Sequence, residues 1–137
     1  MSFKPVSARV KLALAALGCA LIGSGPATAH HSFAIFFGGD KTVAVTGTVT
    51  EFTFANPHGV IAVNVKEANG EVDVWKAETN SPSILRRRGW EKDSLKVGDV
   101  ITVEGWPARD GSRYMRMRKV TKDGKPVGVP FENLTVN

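Results

Sequence analysis

The chain has 137 residues, 42% of them hydrophobic and 23% charged, with 18 Lys and Arg against 13 Asp and Glu and a formal net charge of +5. Three of the basic residues, Lys4, Arg9 and Lys11, fall within the first 29 positions, so the rest is close to neutral, which argues against nucleic acid as the main partner. The single cysteine, Cys19, lies in the same stretch, so residues 30–137 form one domain-sized unit without a disulfide or a thiol nucleophile.

Residues 1–29 read as a signal peptide. Lys4, Arg9 and Lys11 make the basic n-region, Leu12 to Ile22 the apolar h-region, and Gly23 to Ala29 a small-residue c-region ending in the A-x-A site Ala27-Thr28-Ala29. Cleavage there is expected to give a periplasmic or secreted protein beginning at His30. Ala16-Leu17-Gly18-Cys19 loosely resembles a lipoprotein processing box, the alternative in which Cys19 is lipidated. The apolar run continuing through Ala20-Leu21-Ile22, and the A-x-A site after it, favour cleavage at Ala29. No later segment approaches the ~20 apolar residues needed to span a bilayer, so no transmembrane segment is expected after cleavage.

After His30-His31 come Phe33, Ile35, Phe36 and Phe37, too apolar for a free terminus, and they are expected to dock on the domain. The first strand, Thr42 to Phe54, has its apolar phase on odd positions (Val43, Val45, Val49) and then on even ones (Phe52, Phe54). That change predicts a bulge or bend in mid-strand. Asn56-Pro57-His58-Gly59 breaks the run, because Pro57 has no amide to donate and Gly59 permits a sharp turn. Val60 to Lys66 alternates, and Ala68-Asn69-Gly70-Glu71 turns it into an antiparallel neighbour, Val72 to Glu78.

Ser81 then stands as an N-cap and Pro82 suits the first helical position, giving about two turns before Gly89, with Trp90 packed beneath. Leu95-Lys96-Val97-Gly98-Asp99 turns into Val100 to Trp106, and Arg109-Asp110-Gly111-Ser112 into a last strand, Arg113 to Val120. The tail, with Pro126 and Pro130, is expected to be irregular. Five strands, the first long and bent, with one short helix between strands 3 and 4, predict an all-β domain over residues 30–137, an OB-like Greek-key barrel.

Three histidines, His30, His31 and His58, are the candidate metal ligands. A terminal His30 offers copper(II) its amino nitrogen and its Nδ1, with His58 as a third nitrogen; alternatively His31 acts as the second-residue ligand together with the amine and an intervening amide nitrogen. The plainer alternative is a free terminus and a His58 that hydrogen-bonds within its own turn. Met115 and Met117 share a face and are soft donors for copper(I), though core filling is the commoner use of such residues.

A second class of function is a non-enzymatic binding or assembly module for a periplasmic protein or small molecule. Trp75, Trp106 and Arg86, Arg87 and Arg88 are the candidate contacts on the barrel face. Barrels of this type often hold single strands between basic grooves and aromatic platforms, and Tyr114 with Arg113, Arg116, Arg118 and Lys119 would add to such a groove. Export argues against nucleic acid, and local acids such as Glu91, Asp93 and Glu104 can pair with these cations. Enzyme signatures do not occur: there is no G-x-S-x-G, no glycine-rich phosphate loop and no H-E-x-x-H.

The combination of His30-His31-Ser32-Phe33-Ala34, the Asn56-Pro57-His58 turn, Ser81-Pro82 leading into Leu85-Arg86-Arg87-Arg88-Gly89-Trp90, and Leu95-Lys96-Val97-Gly98-Asp99 followed by Val103-Glu104-Gly105 resembles a family of small secreted bacterial proteins of unknown function. The resemblance covers roughly His30 to Thr121. It implies a periplasmic OB-like barrel and brings no activity, substrate or catalytic residue. Where an aromatic would be expected soon after the Asn-Pro-His turn, this chain has Gly59-Val60.

Overall fold

The computed structural model describes residues 35–131; the expected signal peptide, His30, His31 and Phe33 lie outside them. Six strands and one helix follow in the order β1 (Val43–Thr53), β2 (Val60–Lys66), β3 (Val72–Glu78), α1 (Pro82–Arg87), β4 (Val100–Pro107), β5 (Tyr114–Lys122) and β6 (Lys125–Pro126). The sheet runs β3-β2-β1-β4-β5-β6, and β3 also pairs with β5. That extra pairing closes the first five strands into an OB-like barrel. Every contact is antiparallel except this seam, which is parallel and joins Lys76, Ala77 and Glu78 to Tyr114, Met115 and Arg116.

The strands alternate as the hydrophobic pattern requires, with Ile61, Val63 and Val65 of β2 and Ile101 and Val103 of β4 pointing inward. The phase change in β1 is a bulge: Val49 faces Val63 but Glu51 faces Ala62, leaving Thr50 as the extra residue. Val49 before it and Phe52 after it therefore both reach the core. A second bulge does the same for β5. Gly105 faces Met117 while Glu104 faces Lys119, so the buried positions step from Met117 to Val120. Met115 and Met117 are 0% and 1% exposed and fill the barrel.

Helix α1 packs on the barrel core through Leu85. Ser81 occupies the N-cap position and Pro82 the first turn, but the Ser81 side chain makes no capping bond and meets Ser83 Oγ at 3.0 Å instead. Pro82 and Leu85 are its buried residues, and Trp90, 1% exposed, packs among the core residues with its ring 6.0 Å from that of Phe52.

Two expectations for the chain's flanks are corrected. The start of the tail is not irregular: Asp123 (φ 52°) and Gly124 form a two-residue Asp-Gly hairpin turn from β5 into β6, while residues 127–131 carry no regular element. The chain then crosses Trp90 at Gly128, where a Cβ would stand 2.4 Å from the indole and φ is +64°. Beyond it Val129 N donates to Arg88 O (2.8 Å), Arg88 Nη1 donates to Pro130 O (2.7 Å), and the Arg88 guanidinium lies 4.2 Å from the Phe131 ring centroid. At the other flank Phe37 docks, 6% exposed, whereas Ile35 and Phe36 remain 64% and 62% exposed. One strand-like bridge, Phe37 with Ala108, is enough to hold the segment but buries only the residue that faces the barrel.

Candidate functional site

The β1–β2 loop is pinned at both sides of Gly59. Thr53 Oγ1 accepts from Val60 N at 2.7 Å, and Thr79 N donates to Gly59 O at 2.8 Å. A Cβ at Gly59 would lie 2.0 Å from Thr53 O, so the close approach excludes any side chain there and explains why no aromatic follows the histidine directly. The loop thus holds His58 against the end of β3. Its Nδ1 is 2.8 Å from Glu78 Oε1, and its side chain is half exposed, so it does not bond within its own turn.

Glu78 sits on the outer face of the parallel seam, where the register brings it opposite Arg116 and next to Tyr114. Arg116 Nη1 donates to Glu78 Oε1 at 2.6 Å and to Thr79 O at 2.8 Å, while Nη2 donates to Asn80 Oδ1. Tyr114 OH donates to Glu78 Oε2 at 3.0 Å. The Arg116 side chain is only 13% exposed, and burial draws its pKa down against the opposing pull of Glu78. Burial, then the bond to Glu78, pushes the Tyr114 phenol up to about 12.

Tyr114 is the only tyrosine of the chain. Alkaline titration followed by tyrosinate absorbance is therefore expected to give a midpoint near 12 in the folded protein, against the ordinary 10.0 after unfolding. The fold favours the neutral phenol, so its contribution to stability is complete below the ordinary value and disappears as the pH rises from there to about 12. A folded-state midpoint at the ordinary value would contradict the Tyr114–Glu78 bond.

Phe37 ties the N-terminal segment to this cluster. Its ring stacks on Tyr114 with centroids 6.0 Å apart and planes 20° apart, Arg109 N donates to Phe36 O at 2.9 Å, and Arg109 Nε donates to Phe37 O at 3.1 Å. A continuous path of contacts runs from Phe37 through Tyr114 and Glu78 to His58.

Of the other residues singled out in the sequence, Trp75 is partly buried with the Arg113 guanidinium 5.8 Å from its ring, and Arg113 pairs with Asp73 at 2.6 Å. Arg86 and Arg87 are exposed, and Arg86 lies 5.2 Å from the Phe54 ring. Arg88 is occupied by the tail. Trp106 is 6% exposed, so its ring is no open platform, although the register pairs it with Arg116 on the outer face of the sheet. Arg118 pairs with Glu104, the one local acid of the three considered that takes an arginine across the sheet. Among the described residues no group of three or more His, Cys, Asp or Glu is placed to hold a metal, and no helix is long and apolar enough to cross a membrane.

Sequence reasoning missed Glu78 and Arg116 as partners of His58. Tyr114, Arg116 and Arg118 alternate with Met115 and Met117, which marks them as an outward row, but the register of the β3–β5 closure that sets Glu78 opposite Arg116 is not written in the local sequence.

The profile of a family of unknown function, DUF6152, matches residues 19–117. The chain belongs to this family. No curated protein matches it. Among solved structures it is similar to a ZRD-deleted mutant of TiaS in complex with agmatine, at 19% identity and a TM-score of 0.44 over 69% of this chain. The chain spans only 23% of that protein's length. It is also similar to a small single-stranded DNA-binding protein from Streptomyces coelicolor, at 16% identity and a TM-score of 0.39, covering 61% of this chain and 91% of that one. The family assignment brings no activity with it.

Proposed function

We propose that this member of the family is an exported periplasmic β-barrel that binds copper(II) through nitrogen donors of His30, His31 and His58. The observation that supports this reading is the contact path from Phe37 through Tyr114 and Glu78 to His58. It anchors Phe37 on the same side of the barrel as the third histidine. Phe37 stands seven positions after His30, and an extended chain of seven steps reaches at most about 25 Å. Cleavage after Ala29 would free an α-amino nitrogen beside two imidazoles, and copper(II) favours a tetragonal set of such donors. Handling of copper outside the cytosol is the role that fits this chemistry and the expected export.

The test uses the exported protein, with intact mass first showing His30 as the terminal residue. Copper titration followed by electron paramagnetic resonance is expected to show a nitrogen-rich site. One residue added before His30 weakens it by removing the amine from the chelate, and His58→Ala weakens it by at least the roughly 10–100-fold that loss of even an outer-shell partner costs. Affinity equal to that of a short His-His peptide, with no effect of His58→Ala, would overturn the reading.

A further inference from the structure

We infer that Glu78 is a positioning residue that holds His58 as its Nδ1–H tautomer and leaves Nε2 as the nitrogen offered to a metal ion. The role of His58 as a metal ligand rests on the function proposed above; the tautomer does not. Ionised Glu78 only accepts hydrogen bonds, and its Oε1 is 2.8 Å from His58 Nδ1, so the ring proton belongs on that nitrogen. The carboxylate itself cannot turn away. Its Oε1 also accepts from Arg116 Nη1 at 2.6 Å, and its Oε2 from Tyr114 OH at 3.0 Å. Arg116 is in turn fixed by Thr79 O and Asn80 Oδ1, and the loop carrying His58 is fixed by Thr53 and Thr79.

A metal-ligating histidine commonly donates its second N–H to a carboxylate, which orients the ring and raises the basicity of the ligating nitrogen. His58, Glu78 and Arg116 supply that arrangement with the ring half exposed.

The tautomer is read without any metal, by long-range proton–nitrogen correlation on the folded full domain at about pH 8, above the ordinary imidazole range. A His30→Ala, His31→Ala background leaves His58 as the one histidine observed. The expected result is Nδ1–H in the wild-type seam and in Glu78→Gln, whose amide oxygen still accepts from both Arg116 and His58. The bias is expected to vanish in Glu78→Ala, Arg116→Met, where the arginine left without its carboxylate is removed as well. In the chain with native histidines, that double variant is expected to bind copper about 10–100-fold more weakly and Glu78→Gln to retain most of the affinity. An Nε2–H tautomer in the wild type would overturn the inference, as would undiminished copper affinity in the double variant. Failure of the wild type to bind copper would end the functional proposal and the ligand role of His58, while the metal-free tautomer reading stands apart from it.

Discussion

Trp90→Ala is expected to lower the free energy of unfolding by about 3–5 kcal/mol, the range for truncating a fully buried large aromatic. The indole is 1% exposed and packs in the core with Phe52 and Leu85, while the tail passes over it at Gly128 with no room for a side chain. None of these neighbours can collapse into the space left. Leu85 belongs to a helix braced by Pro82, and the tail is held on either side of the gap by Val127 N to Val120 O and Val129 N to Arg88 O. Urea unfolding would show the loss as a lower midpoint at unchanged slope. A change below about 1.5 kcal/mol would mean that the tail and helix repack freely, contrary to the bonds that hold them.

Glu78→Ala is expected to cost about 3–5 kcal/mol, for a different reason. It strands Arg116, whose side chain is 13% exposed, without its carboxylate, and removes the acceptor of Tyr114. Adding Arg116→Met should restore most of the loss, because a buried ion pair replaced by an apolar side chain of similar length is often near neutral. The contrast is Asp73→Ala at the other end of β3. Its partner Arg113 is 56% exposed, so that change should cost only about 0–1 kcal/mol. Equal effects from the two carboxylates would show that the Arg116 pair is solvated like an ordinary surface bridge.

The barrel was legible in the sequence because its strands carry a period of 2 and its interruptions carry turn chemistry. The phase change from Val49 to Phe52 gave away the β1 bulge, and Ser81-Pro82 followed by Gly89 gave away α1. Pro126 and Pro130 point to an irregular tail, which holds for residues 127–131 but not for Lys125–Pro126, where the local Asp123-Gly124 hairpin signal prevails. The phase of β4 does place Trp106 opposite Arg116 on the outer face, but its burial there comes from packing that strand periodicity does not encode. His58 stood out as one of three histidines, but Glu78, Arg116 and Tyr114 are brought to it by long-range pairing across the parallel seam. Local pattern names the face a residue lies on; it does not say which distant strand shares that face.

The barrel is closed by only three paired residues on each side, and the Glu78 and Arg116 that face one another across that closure are the ones that hold His58. Opening of the seam and loss of the histidine's support are therefore one event. A ligand that binds only the closed state adds a free energy set by its concentration relative to its dissociation constant, and that increment falls on the barrel's shortest ladder. Amide hydrogen exchange at Lys76, whose N–H donates to Arg113 O at 3.0 Å, would then slow on ligand addition even though Lys76 touches no ligand. Occupancy of the outer surface would be recorded as the opening equilibrium of a backbone bond.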